Sequence, residues 1–226
     1  MYGKLMNNPN ISMSRSQESI LATNKVLKNT YMLLSLTLVF SGVMAFIGMS
    51  LNLGHGVSLV ATIAAIVLLW FVLPRTANST AGIPVIFAFT GLLGLGLAPM
   101  LNYYLAVNPS IVSTALGGTG VIFMGLSGYA LTTRKDFSFM GGFLMVGMLV
   151  VIVASLANIF LQMPVLSLVG SGAIVMLMSG FILYETSSII HGGETNYMMA
   201  TASLFLSILN MFQALMHILG VFGGDD

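Results

Sequence analysis

Residues 76–133 read TANSTAGIPVIFAFTGLLGLGLAPMLNYYLAVNPSIVSTALGGTGVIFMGLSGYALTT and contain no charged side chain over 58 positions. A water-exposed segment would carry roughly 25% charged residues, so this stretch is suited to the interior of a bilayer. A membrane-spanning helix takes about 20 to 25 residues, so the stretch is long enough for two. Asn108-Pro109-Ser110 supplies the turn between them. The sequence therefore predicts a membrane-embedded helical hairpin.

Three further uncharged blocks flank this hairpin, at residues 29–74, 137–184 and 195–224. By the same length rule they hold two, two and one helices, which brings the total to about seven. The predicted spans are 31–51, 57–73, 82–106, 111–133, 138–161, 165–190 and 197–222. Only 13 of the 226 residues are charged and the mean hydropathy is +1.00. Because so little charge cannot cover a water-facing surface, the composition excludes a soluble protein and predicts an all-α membrane protein.

The charges that are present predict the orientation of the chain. If the N-terminus is cytoplasmic, all seven cationic residues lie on the cytoplasmic side, as the positive-inside rule requires. They are Lys4, Arg15, Lys25, Lys28, Arg75, Arg134 and Lys135. Residues 1–29 then form a cytoplasmic tail, which is poor in apolar residues and is predicted to be mostly disordered. Residues 30–222 form the transmembrane domain, and residues 223–226 form an external C-terminus.

Composition also argues against several classes of function. The net charge of +1 and the lack of a basic stripe argue against a nucleic-acid partner. The chain has no cysteine and no recognisable cofactor motif, so no cofactor is predicted. His191 and Glu194 are two possible metal ligands in one loop, but a zinc site normally needs at least three protein ligands, so no metal site is predicted.

A catalytic serine paired with a histidine is also unfavourable. Ser127 and His217 are the candidates, but the predicted topology separates them by about 20 Å along the bilayer normal. A nucleophile and its base must approach within about 3 Å. We therefore predict that the chain is not an enzyme.

Polar side chains inside the spans are the main candidates for a functional site. Glu185 is the one acid placed firmly within a predicted span, about 9 Å from its inner end, and is either part of a functional site or an interfacial carboxyl. The last span carries a polar stripe spaced for one helical face, which either holds the bundle together by hydrogen bonds or lines a hydrated path. Its members are Ser203, Ser207, Asn210, Gln213 and His217. We expect Ser203, Ser207 and Asn210 of this face, together with the cationic Arg75 or Arg134, to contact Glu185.

Small residues predict where helices approach closely. Thr90, Gly94 and Ala98 recur every four residues on the third span, and a second group of glycines lies on the fourth. That group is Gly117, Gly118, Gly120, Gly125 and Gly128. Pro99 is predicted to kink the third span because it lacks a backbone N–H.

Three segments resemble the Bax inhibitor-1 family of membrane proteins. They are TTRKDFSFMGG at 132–142, NIF at 158–160 and LYETSSIIHGGETNY at 183–197, and the likeness extends from about residue 25 to 220. The resemblance implies six helices around a central seventh. TNKVLKNTY at 23–31 and HGGETNY at 191–197 are most similar to a bacterial branch of the inner (cytoplasmic) membrane.

The resemblance implies two alternative functions. The bacterial branch binds and restrains the ATP-dependent membrane protease FtsH, with its membrane-bound regulatory complex, whereas another branch is a pH-sensitive Ca²⁺ leak that uses a carboxylate pair. Glu185 matches the first carboxylate of that pair, and Ser207 stands where the second belongs. Because a hydroxyl cannot share a proton as a second carboxylate would, the sequence favours protease modulation. Arg134, Lys135 and Asp136 are the predicted partner contact.

Overall fold

Seven helices long and apolar enough to cross a membrane make up the computed structural model, which describes residues 9–223 and the side chains of residues 21–223. The helices are α1 Pro9–Ser50, α2 His55–Thr76, α3 Gly82–Val107, α4 Pro109–Thr133, α5 Met140–Leu161, α6 Pro164–Ile190 and α7 Tyr197–Phe222. The membrane-spanning part of α1 is Leu21–Ser50, and α2 contains a π-helical turn at Leu68–Val72. The predicted all-α membrane fold is confirmed. Of the predicted external C-terminus, only Gly223 lies within the described residues.

The N-terminal segment differs from its prediction. Residues 1–29 were expected to be mostly disordered, but α1 begins at Pro9, and residues 1–8 lie outside the described part of the chain. Val26 and Leu27 pack against the main hydrophobic core, so this end of α1 is part of the bundle. Once a helix is nucleated, each added residue gains a backbone hydrogen bond, which favours extension beyond the membrane-spanning part.

Asparagine side chains cap two of the helices. Asn108 Oδ1 accepts a hydrogen bond from Ser110 N at 3.0 Å, and Pro109 occupies the first turn of α4. Asn196 Oδ1 accepts from Met198 N and Met199 N at the start of α7. Both residues satisfy backbone N–H groups that have no partner within the helix. The turn that the sequence places at Asn108 is therefore the capping structure of α4.

Helix α7 is the central element of the bundle. It packs against α1, α3, α4 and α6, and 13 of its 26 residues are buried. Helix α2 packs chiefly on α3, and α5 packs chiefly on α6, so these two helices lie farther from α7. Ser207 and Thr201 of α7 are consequently buried between other helices, and Ser203, Asn210, Gln213 and His217 are half-buried there.

Close helix packing is concentrated where α1 crosses α3. A Cβ atom at Gly94 would collide with the backbone carbonyl oxygen of Ser41 on α1. By contrast, on α4 a Cβ at Gly117, Gly120, Gly125 or Gly128 would have no non-local atom within 4 Å. The prediction of close packing is therefore wrong for these four glycines, because the side of α4 that carries them faces open space.

Pro99 lies inside α3 and cannot donate a backbone hydrogen bond to Leu95 O one turn earlier. Ser58 Oγ of α2 donates to that carbonyl at 3.4 Å. Ser58 is buried, so this polar contact is shielded from the surroundings. Pro99 thus leaves Leu95 O free to accept the hydrogen bond from Ser58, which links α2 to α3.

Candidate functional site

The carboxyl group of Glu185 lies between α6 and α7. Ser203 Oγ donates a hydrogen bond to Glu185 Oε1. The other oxygen, Oε2, is buried and has no hydrogen-bond partner among the described residues. Ser207 is a second hydroxyl residue near the same carboxyl and is itself buried. The structure brings Glu185 together with two members of the predicted polar stripe, and their role in sensing remains a prediction.

Helix α1 makes polar contacts with residues of α6 and α7 that neighbour Glu185 and Ser203 in sequence. Tyr31 OH lies 3.2 Å from Thr186 Oγ1, the residue that follows Glu185 on α6. Thr201 Oγ1 of α7 lies 3.3 Å from the carbonyl oxygen of Thr30. Thr30, Thr186, Thr201 and Tyr31 are not among the predicted site residues. The available signal was that Thr30, Tyr31 and Thr201 are polar residues inside uncharged blocks, and that Thr186 follows Glu185 within the sixth predicted span.

The expected cationic partners of Glu185 are absent from its hydrogen bonds. Arg75 Nη1 donates to Phe71 O on its own helix, and Arg134 is exposed at the end of α4. Neither guanidinium is a hydrogen-bond partner of Glu185. The prediction that Arg75 or Arg134 contacts Glu185 is therefore wrong. For Arg75 the reason is that α2 packs chiefly on α3 and that the guanidinium donates back to its own helix.

The rest of the polar stripe has other partners. Asn210 Nδ2 donates to Leu206 O on its own helix at 2.9 Å, so Asn210 does not join Glu185. Asn210 also lines a mostly apolar cavity of about 530 Å³ bordered by α5 and α6. His217 contacts two serines of α6, with Nε2 3.2 Å from Ser167 Oγ and Nδ1 3.0 Å from Ser171 Oγ. The stripe therefore serves at least two separate contacts between α6 and α7.

The hydrogen bonds around His217 define its tautomer. Ser171 Oγ donates its proton to Ser167 O at 3.1 Å, so this oxygen must accept from His217 Nδ1. His217 Nε2 can then accept from Ser167 Oγ. With both ring nitrogens engaged on α6, His217 links the two helices and does not contact Ser127.

We expect His217→Ala to destabilise the protein by about 1 to 2 kcal/mol, because two interhelical hydrogen bonds are lost and the two serines lose their partner. Thermal unfolding of the purified chain in detergent measures this effect. His55→Ala is the matched control, since His55 is exposed at the start of α2 and its loss should change stability by less than about 0.5 kcal/mol. Equal stability of the two variants would contradict the assignment.

The predicted partner contact is an exposed loop held by backbone interactions. Arg134 ends α4 with φ 49°, and Arg134, Lys135 and Asp136 are all exposed. Asp136 Oδ1 accepts a hydrogen bond from Ser138 N at 2.8 Å, and this bond holds the pKa of Asp136 below its usual value. Ser187 Oγ on α6 donates to Lys135 O at 3.1 Å. The loop therefore has a defined conformation while its charged side chains remain accessible.

His191 and Glu194 each take part in a local turn. His191 Nδ1 lies 2.9 Å from Ser187 O, and Glu194 Oε1 accepts from Asn196 N at 2.7 Å. Within residues 21–223, no three His, Asp or Glu side chains are grouped as metal ligands would be. These hydrogen bonds therefore define the conformation of the loop around His191 and Glu194.

Comparison with known proteins assigns the chain to a family. The family model described as inhibitor of apoptosis-promoting Bax1 matches residues 23–224. The chain belongs to the Bax inhibitor-1 family. A protein of Escherichia coli K12 named modulator of FtsH protease YccA is 49% identical over 216 residues, which cover 95% of this chain and 98% of the relative. A membrane protein of Vibrio cholerae is 48% identical over 223 residues, covering 98% of this chain and all of the relative.

Family membership confirms the resemblance seen in the three sequence segments. Two of those segments, 132–142 and 183–197, meet in the structure, because Phe137 N donates to Ser187 Oγ at 2.9 Å. Asn196 of the second segment also reaches the residue that follows α2, where its Nδ2 donates to Ala77 O at 3.0 Å. Segments 132–142 and 183–197 are therefore joined by hydrogen bonds at one end of the bundle.

Proposed function

We propose that this protein binds and negatively modulates the membrane-bound protease FtsH. The observation that most strongly supports this proposal is the 49% identity to the relative named modulator of FtsH protease, which extends over nearly the full length of both chains. The Glu185 site supports the proposal because its carboxyl faces serine hydroxyls, where a Ca²⁺ leak of the family would use a second carboxylate. The protein acts in this proposal through binding, without chemistry of its own.

The same proposal places the protein in the bacterial inner membrane with a cytoplasmic N-terminus. A second Escherichia coli relative, 49% identical, is named inner membrane protein YccA. The positive-inside rule supports the orientation, because all seven Lys and Arg residues then face the cytoplasm. The C-terminus is periplasmic in this arrangement.

The exposed loop at 134–136 is the proposed contact with FtsH or its membrane-bound regulatory complex. It lies on the cytoplasmic side in the proposed orientation, and its backbone is held by Ser187. A charged loop of fixed shape can provide electrostatic complementarity to a partner without having to be ordered on binding. Lys135 and Asp136 are therefore the side chains to alter first.

We expect the full-length protein, reconstituted with FtsH in proteoliposomes, to slow degradation of a membrane-protein substrate by at least about threefold at equimolar amounts. The expected cause is occupation of an FtsH surface in the membrane. The measurement is the rate of substrate loss at fixed ATP. An unchanged rate, with FtsH fully active and this protein folded, would overturn the proposed function.

A charge-reversal pair tests the loop separately. Lys135→Glu should weaken the inhibition, whereas Lys25→Glu, an equally exposed change on α1, should leave it intact. Inhibition that is equally strong in both variants would remove the loop from the proposal and leave the modulator function standing. Equal thermal stability of the variants shows that folding is not the cause.

A Ca²⁺ leak is the second candidate function. It is favoured by Glu185 Oε2, a buried carboxyl oxygen without a hydrogen-bond partner among the described residues. Oxygen ligands of this kind suit Ca²⁺. The ion is normally coordinated by roughly 6 to 8 oxygen atoms, however, often from more than one carboxylate. Ca²⁺ flux into dye-loaded liposomes that contain the wild-type protein distinguishes this candidate from the modulator.

A further inference from the structure

A surface cavity with a volume of about 280 Å³ lies at the end of the bundle where α1 meets the loops that follow α4 and α6. Its rim is polar and its floor is apolar. The rim side chains are exposed and the floor side chains are half-buried. The rim includes Asn24, Arg134 and His191, and the floor includes Leu27, Leu131 and Ile190.

Arg134 is held at this rim by its backbone. Its φ of 49° ends α4, and its N–H donates to Ala130 O at 2.9 Å. Ser187 Oγ fixes the next residues by donating to Lys135 O and accepting from Phe137 N. Within residues 21–223 the Arg134 guanidinium has no hydrogen-bond partner, so its donors are available to a ligand. A guanidinium keeps its positive charge at all physiological pH values.

His191 presents a second polar group. Its Nδ1 lies 2.9 Å from Ser187 O, and because a carbonyl only accepts, Nδ1 must carry a proton. The Nε2 atom is thus the ring nitrogen left for a ligand. Two acids lie nearby: Asp136 accepts from Ser138 N and is close enough to His191 to interact with it electrostatically, and Glu194 accepts from Asn196 N. Arg134 is therefore the group of this rim that attracts an anion, and the side-chain amide of Asn24 can donate a hydrogen bond beside it.

We propose that this cavity binds the phosphate-bearing headgroup of a membrane phospholipid. The planar fork of Arg134 matches the geometry of a phosphate group. The apolar floor provides contact for the glycerol and the first acyl carbons, which a free phosphate ion does not possess. Basic pockets between transmembrane helices bind lipid headgroups in membrane proteins. The cavity lies at the end of the bundle that is proposed to be cytoplasmic.

The test uses the purified full-length chain and phosphatidylglycerol, with bound lipid counted by native mass spectrometry. Arg134→Gln is expected to weaken lipid binding at least roughly tenfold, because the charge-assisted hydrogen bonds are lost. Arg75→Gln is the matched control, since Arg75 is exposed, donates to its own helix and does not line the cavity. We expect it to retain binding within about twofold. Equal losses in the two variants would overturn the proposal.

A second variant tests the cavity with its charge intact. Asn24→Trp places a large side chain over the opening from an exposed position on α1, and we expect a loss comparable to that of Arg134→Gln. Unchanged lipid binding by a stably folded Asn24→Trp would overturn the proposal. Millimolar inorganic phosphate should fail to displace the lipid. Full displacement would show that the site takes a free anion and would overturn the lipid assignment.

Discussion

Gly94→Ala is expected to destabilise the protein by about 2 kcal/mol. The added Cβ would meet the carbonyl oxygen and carbonyl carbon of Ser41, which belong to the backbone of α1 and cannot rotate away. The two helices must therefore move apart at their crossing, which is the most extensive helix contact in the bundle. Thermal unfolding of the purified chain in detergent measures the loss.

Gly117→Ala is the matched control for this change. The same methyl group on α4 would have no non-local atom within 4 Å, and alanine favours a helix over glycine by up to about 1 kcal/mol. We therefore expect unchanged or slightly increased stability. If Gly94→Ala were as stable as Gly117→Ala, the close approach of α1 and α3 would not exist as described.

Ser207→Asp is expected to produce Ca²⁺ flux that is absent or weak in the wild-type protein. Ser207 is buried on α7, near the carboxyl group of Glu185, so the new carboxylate would form a pair with it. Two neighbouring carboxylates share a proton and titrate together, and both are available to a divalent cation only when ionised. Flux into dye-loaded liposomes should therefore be high near about pH 8 and fall towards background near about pH 6.

Ser207→Asn controls for side-chain size without adding charge, and it should behave as the wild type does. Glu185→Gln combined with Ser207→Asp removes one member of the pair and should abolish the acid-suppressed component. Identical flux from the wild type and Ser207→Asp across this pH range would show that Ser207 does not occupy the place of the second carboxylate. The assignment of Glu185 as half of a sensor would then be abandoned.

These predictions depend on contacts that the sequence indicated only in part. The regular spacing of Ser203, Asn210 and His217 placed them on one face of the last helix, and a polar face in a membrane helix needs polar partners. Spacing along one helix does not specify which neighbour each residue meets. Ser203 binds Glu185, Asn210 bonds its own helix, and His217 meets Ser167 and Ser171.

The number of membrane-spanning helices was determined by the sequence alone, because each uncharged block, such as residues 76–133, has the length that the bilayer demands of one or two helices. The partners of the polar and small residues were decided only by the tertiary structure. Gly94 and Gly117 both lie in glycine-rich helices, yet only Gly94 faces another backbone. Lipid constrains composition and length, whereas the rotation of each helix is fixed by packing against its neighbours.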